Sequence, residues 1–191
     1  TRKESSAASD VYKRQEGDIV NIDVTLIVDG FYGDSSRMYP VGRVKRAAER
    51  LCEITYRSLL LAIEEVKPGA HLGDIGAAIQ DYAEAERCSV VRDFCGHGVG
   101  KIFHDAPNVL HYGRRGEGAE LKPGMIFTIE PMINLGRPHV KVLSDGWTAV
   151  TRDRSLTAQY EHTVGVTDTG CEVFTFSPGG LDTPGIVLDP I

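Results

Sequence analysis

Residues 21–38 read NIDVTLIVDGFYGDSSRM, and the centre of that stretch decides the fold. From Ile19 to Val28 the chain alternates and is rich in Val, Ile and Thr, as a half-buried strand requires. Asp29-Gly30 is a preferred two-residue turn because both residues tolerate the positive φ of a type I′ hairpin. Residues 31–39 are therefore predicted to return as the partner strand. The turn fixes the register: Val28 faces Phe31, Asp23 faces Ser36 and Asp34 faces Thr25. Residues 23 and 25 point to one side, so Asp23 and Asp34 are diagonal neighbours there, about 7–8 Å apart at the backbone. Alone, such a pair reads as two solvated acids. If the carboxylates converge, a proton or a cation must sit between them.

Downstream, residues 43–66 carry apolar side chains at helical spacing (Leu51, Ile54, Leu59, Ala62, Ile63) and stop at Pro68-Gly69. Residues 74–87 predict a second amphipathic helix, with Ile75, Ala78, Ile79, Tyr82 and Ala83 on one side. Residues 95–104 are glycine-rich and predicted to be extended with tight turns, and residues 125–133 predict one strand. Residues 139–151 and 159–175 each predict a strand that reverses, at Asp-Gly and at Thr-Gly. Gly17-x-Ile19-x-x-Ile22-Asp23 has the spacing of Gly124-x-Ile126-x-x-Ile129-Glu130, an acid six residues after a glycine near the end of an apolar strand. This is either coincidence or a duplicated α+β unit meeting its copy around a shared site.

The chain has 191 residues, 41% hydrophobic and 25% charged, which fits one globular domain with a sizeable core. Its net charge of −6 and scattered basic residues argue against a nucleic-acid partner. Arg43, Lys45, Arg46 and Arg50 cluster, but read as a solvated helix face. No apolar run approaches the roughly 20 residues of a membrane span, and the start lacks the layout of a secretory signal. Cys52, Cys88, Cys95 and Cys171 form no CxxC pair or framework spacing, which fits reduced thiols in a cytoplasmic protein. Residues 1–15 read differently from the rest. SSAASDVYKRQ (residues 5–15) looks like the translated end of a sequencing adapter joined in frame, against the plainer reading of a polar tail. Native sequence is then expected from Glu16, a catalytic domain over 16–175, and a flexible Pro/Gly-rich tail over 176–191.

Several polar residues sit where a strand would normally bury an apolar one. Glu130 follows Phe127-Thr128-Ile129, and Glu161-His162 lies between Tyr160 and Val164. A carboxylate so placed is costly unless paired or ligated. His97 lies between Gly96 and Gly98, where the backbone can approach a ligand closely, and His104 follows seven residues later. A lone histidine is more often structural, and His71, His111 and His139 take that reading. Asp23, Asp34, His97, Glu130 and Glu161 make a set of four carboxylates and one imidazole. Such ligation suits two hard or borderline cations, and paired metals activate water and stabilise a tetrahedral transition state.

Five stretches in order resemble the type I methionine aminopeptidases: NIDVTLIVDGFYGDSSRM (21–38), CGHGVGKIFHDAPNVLHY (95–112), LKPGMIFTIEPM (121–132), DGWT (145–148) and AQYEHT (158–163). The resemblance implies an α+β pita-bread fold, two pseudo-symmetric halves around a central antiparallel sheet. It implies Asp23, Asp34, His97, Glu130 and Glu161 as ligands of two divalent ions (Co, Mn, Fe or Zn), with Asp34 and Glu161 bridging. It gives His97, His104 and Glu130 catalytic roles, with Glu130 relaying protons and His104 contacting the scissile carbonyl. Phe103 and Trp147 match the aromatic walls of the methionine pocket, a shape suited to a flexible thioether.

The function so implied is metal-dependent removal of the initiator methionine, by attack of a metal-activated hydroxide on the first peptide bond. The expected partners are the N-terminal methionines of nascent polypeptides, near the ribosome, with the enzyme a cytoplasmic monomer that engages neither nucleic acid nor membrane. The family carries more sequence before the first strand, so the first half is expected to be incomplete. The chain is expected to fold poorly or to expose an apolar face, and to have weak activity or none. Two alternatives share the fold: an Xaa-Pro-directed aminopeptidase or prolidase, and a catalytically silent binding module.

Overall fold

A computed structural model describes residues 14–177; residues 1–13 of the N-terminal stretch and 178–191 of the tail lie outside the described residues. Strands β1 (Ile19–Val28) and β2 (Phe31–Pro40) form the hairpin. The register is the one the turn dictates, with Asp23 opposite Ser36 and Thr25 opposite Asp34. Asp29 and Gly30 take φ of 52° and 83°, as a type I′ turn requires.

The two helices follow. Helix α1 (Arg46–Glu64) buries Leu51, Ile54, Leu59, Ala62 and Ile63, the stripe that the sequence presents. It is shorter at both ends than the predicted 43–66. Helix α2 (Leu72–Ala85) begins two residues before the predicted start because His71 acts as its N-cap. The His71 backbone N–H donates to the Asp74 carboxylate at 2.6 Å, satisfying a donor the helix leaves free. It ends before Arg87, which takes a left-handed φ of 61°.

The remaining strands are short: β3 (Ser89–Val90), β4 (Gly96–Gly98), β5 (Asp105–Val109), β6 (Ile126–Ile129), β7 (Met132–Asn134), β8 (Val140–Val142), β9 (Ala149–Thr151), β10 (Thr157–Gln159), β11 (His162–Val166) and β12 (Cys171–Val173). They form a five-stranded sheet in the order β12-β11-β6-β4-β5, a three-stranded sheet β10-β7-β3, and the arm β8-β9. The helices pack on the three-stranded sheet, burying Leu51, Leu59, Ile75, Ile79, Ile129, Ile133 and Tyr160.

Two predicted strands are interrupted. Residues 125–133 divide into β6 and β7 at Glu130-Pro131, and β10 is separated from β11 at Tyr160-Glu161. The pairs β6–β11 and β7–β10 keep one register, Ile129 against His162 and Met132 against Gln159. They are thus one antiparallel ribbon whose pairing lapses where it passes from one sheet to the other. Pro131 has no N–H to give a ladder, and the free backbone of Glu161 is taken instead by the hairpin. The Glu161 N–H donates to the Ser36 carbonyl at 3.0 Å and the Ser36 N–H to the Glu161 carbonyl at 3.4 Å. The ribbon, its break and the hairpin therefore meet at one point.

The repeated spacing has a structural counterpart. Gly17 and Gly124 take φ of 98° and 88°. Each donates its N–H at 2.9 Å to the end of a partner strand, Gly17 to the Val41 carbonyl and Gly124 to that of Val166. Two units built alike favour duplication over coincidence. One side of the hairpin stays bare: Ile22, Val24, Leu26, Val28 and Phe31 are exposed, Leu26 to 62% and Val28 to 67%. No helix among the described residues is long and apolar enough to cross a membrane.

Candidate metal centre

The hairpin, the ribbon break and β4 converge on a cavity of about 580 Å³ lined by Asp23, Asp34, His97, Phe103, His104, Glu130 and Glu161, among others. Each side chain is held by its element. Asp34 is buried in β2; its N–H donates to Thr163 Oγ1 (3.0 Å), and that hydroxyl donates back to the Asp34 carbonyl (2.8 Å). Thr25 Oγ1 donates to Asp34 Oδ1 at 2.8 Å across the hairpin. Thr128 Oγ1 accepts from the His97 N–H at 3.1 Å and donates to Glu130 Oε1 at 2.8 Å. Gln159 Nε2 donates to Glu130 Oε2 at 3.3 Å.

His97 is oriented by its own strand. Its Nδ1 lies 3.1 Å from the Gly98 carbonyl, which can only accept, so Nδ1 carries the proton and Nε2 presents a lone pair. That lone pair points at acids: Nε2 is 3.9 Å from Asp34 Oδ2 and 3.6 Å from Glu130 Oε1. Donor atoms of Asp34, His97 and Glu161 all lie within 4.8 Å of one another.

The electrostatics are those of a site built for a cation. Burial raises the Asp23 carboxyl above its ordinary range, and the charge and hydrogen bond of Asp34 raise it further. Burial likewise raises Glu130, against its bond from Thr128, with the charges of Asp34 and Asp23 adding to the effect. Glu161 is raised by burial and then by Glu130, Asp34 and Asp23. Burial lowers His97. Asp23, Glu130, Glu161 and His97 are each pushed towards the uncharged form around one cavity. Protons or cations relieve this, and four oxygen donors with one imidazole match hard or borderline divalent ions.

The glycines flanking His97 are required by packing. A Cβ on Gly96 would lie 2.3 Å from the Thr128 carbonyl oxygen, and one on Gly98 2.1 Å from that of Ala106. Gly98→Ala is expected to lower stability by about 1–3 kcal/mol, as overpacking does, measured by urea denaturation. An unchanged midpoint would contradict the close approach.

Beside the acids, the His104 ring lies 4.3 Å from that of His97 and 3.9 Å from that of Phe103, and Phe103 stacks on Tyr32 at 5.2 Å. Trp147 is not brought to this place. It is 89% exposed on the turn between β8 and β9 and does not line the cavity. Thr128, Thr163 and Gln159 are not singled out by the sequence, and His111 carries only a structural reading there. The His111 imidazole, buried and pushed down to about 3 by desolvation, accepts the Glu130 N–H at its Nε2.

Residues 4–168 match Metallopeptidase family M24. The chain belongs to that family. The match begins within the stretch read as a leader. This M24 chain is 59% identical to a methionine aminopeptidase of Rickettsia prowazekii over 172 residues, 89% of this chain and 66% of that protein. It is 59% identical to a methionine aminopeptidase of Escherichia coli K12 over 161 residues, 84% of this chain and 61% of that protein. The chain thus spans a little under two thirds of the relatives it matches. The crystal structure of the Rickettsia prowazekii methionine aminopeptidase superimposes with a TM-score of 0.84 at 58% identity, covering 85% of this chain and 66% of that one. A prolidase from Pyrococcus horikoshii superimposes at 0.67 with 23% identity, over 87% of this chain and 42% of that one, and shows the fold alone. The M24 chain has the α+β pita-bread fold of these neighbours.

Proposed function

We propose that the cavity is the catalytic centre of a methionine aminopeptidase that removes the initiator methionine from nascent polypeptides, using two divalent ions. The observation that supports this most is the convergence of the donors Asp23, Asp34, His97, Glu130 and Glu161 on one cavity, with Asp23, His97, Glu130 and Glu161 pushed towards neutrality. On this reading those five residues hold the ions, Co, Mn, Fe or Zn. When bound, the pair supplies Lewis-acid activation of water and stabilises developing negative charge.

The chain's own groups do the rest. Glu130, at the edge of the cavity and in contact with Thr128 and Gln159, takes and returns a proton. His104 steadies the scissile carbonyl, and Phe103, backed by Tyr32, forms one wall of an apolar slot for the methionine side chain. The substrate is then met in the cytoplasm near the ribosome, by a monomer.

The test is release of free methionine from Met-Ala-Ser with Mn(II) or Co(II), against Xaa-Pro peptides and a chelator control. Metal-dependent release is expected, slow because the outer face of β1 is bare, with Xaa-Pro peptides untouched. Cleavage of Xaa-Pro peptides in preference would move the assignment to the proline-directed enzymes. Metal binding with no cleavage of either would support the silent module.

A further inference from the structure

We propose that His111 is a positioning residue for Glu130, its imidazole standing in for the strand partner that the ribbon break removes. The inference rests on the reading of Glu130 as a metal ligand. At the break, Glu130 is followed by Pro131 and belongs to neither β6 nor β7, so its N–H has no ladder carbonyl to meet. A buried N–H left without an acceptor is costly. His111 supplies one: its Nε2 lies 3.1 Å from the Glu130 nitrogen, and the residue is 1% exposed.

The imidazole is itself anchored. It follows β5, which pairs with β4 through Gly96 and Val109. The next residue, Tyr112, runs so close to α2 that a Cβ on Gly76 would lie 2.4 Å from the Tyr112 carbonyl oxygen. His111 therefore ties Glu130 to α2 and to β5, the neighbour of the strand that carries His97. Thr128 and Gln159 hold the carboxylate from the other end. A ligand fixed at both backbone and carboxylate meets a cation with its oxygens already aimed, the usual work of residues behind a metal ligand.

His111→Leu keeps an apolar side chain of similar reach without an acceptor, whereas His111→Gln places a carbonyl oxygen within reach of the Glu130 N–H. Calorimetric titration with Mn(II) is expected to show affinity about 10–100-fold weaker for His111→Leu, recovered within a few-fold by His111→Gln. On Met-Ala-Ser the loss should fall on kcat, with KM within about twofold. A purely structural role would lower the melting temperature of both variants and leave Mn(II) affinity of the folded protein unchanged, which would overturn the proposal. Should His111→Leu fail to fold, ¹⁵N-labelled wild-type protein decides. A coupling across the hydrogen bond between the Glu130 amide nitrogen and His111 Nε2 is expected, and its absence refutes the contact. Mn(II) affinity and the coupling need no substrate, so failure of the aminopeptidase reading would show separately, as absent methionine release.

Discussion

Asp34→Asn is expected to bring metal-dependent methionine release below about one thousandth of the parent rate, a loss of about 4 kcal/mol in transition-state stabilisation. Mn(II) affinity should fall at least about a hundredfold. Among the acids, Asp34 is the one the others report on: its charge raises Asp23, Glu130 and Glu161 alike, and its Oδ2 lies 3.9 Å from His97 Nε2. Asparagine preserves what holds the residue in place. The backbone exchange with Thr163 does not involve the side chain, and Thr25 can still donate to the amide oxygen. What goes is one negative charge and one oxygen donor. In chelator the variant should therefore melt no lower than the parent, since it carries less buried repulsion. A variant that binds Mn(II) normally, or loses activity only by unfolding, would contradict this role.

The second large effect joins pH, metal and stability. Asp23, Glu130 and Glu161 are raised in the folded chain, each first by burial, so the folded state holds protons that the unfolded state releases. For carboxyls raised in this way the stabilising contribution is complete below their unfolded values, about 3.9 and 4.3. It is then lost as pH climbs towards the raised values. In chelator, stability is expected to decline from about pH 4.5 upward as these groups ionise against one another, by up to about 1.4 kcal/mol per pH unit for each proton involved. Divalent metal takes the place of the protons. At about a hundred times its dissociation constant it should add about 2.7 kcal/mol, a rise in melting temperature of roughly 5–10 °C for a domain of this size. The gain should grow between pH 5 and 8 and shrink in Glu161→Gln. Melting curves in chelator and in Mn(II) across that range check the claim, and parallel profiles would contradict it.

The hairpin was legible because a two-residue Asp-Gly turn leaves one register, and register alone carries Asp23 and Asp34 to one face. Glu130 and Glu161 could be picked out because acids stand inside apolar runs, and His97 because it lies between glycines. The break at Glu130-Pro131 was not legible. An unbroken apolar run reads as one strand, since alternation says which face a residue takes and not which ladder it joins. His111 was passed over for a similar reason. A single histidine in a sequence reads as core, and only the fold places its Nε2 against an N–H that has lost its partner. The threonines behind the acids gave a faint signal: Thr25 opposite Asp34 follows from the turn, whereas Thr163 meets Asp34 only across the hairpin–ribbon junction. Trp147 was placed by motif resemblance alone, and the arm that carries it leaves it in solvent.

The most direct measurement is the number of Mn(II) ions bound per chain, by equilibrium dialysis at pH 7.5, for the parent and for Asp34→Asn. Two ions per folded parent chain are expected, and at most one, weakly held, in the variant. One ion or none in the parent, or two in both, would contradict a centre built from Asp23, Asp34, His97, Glu130 and Glu161.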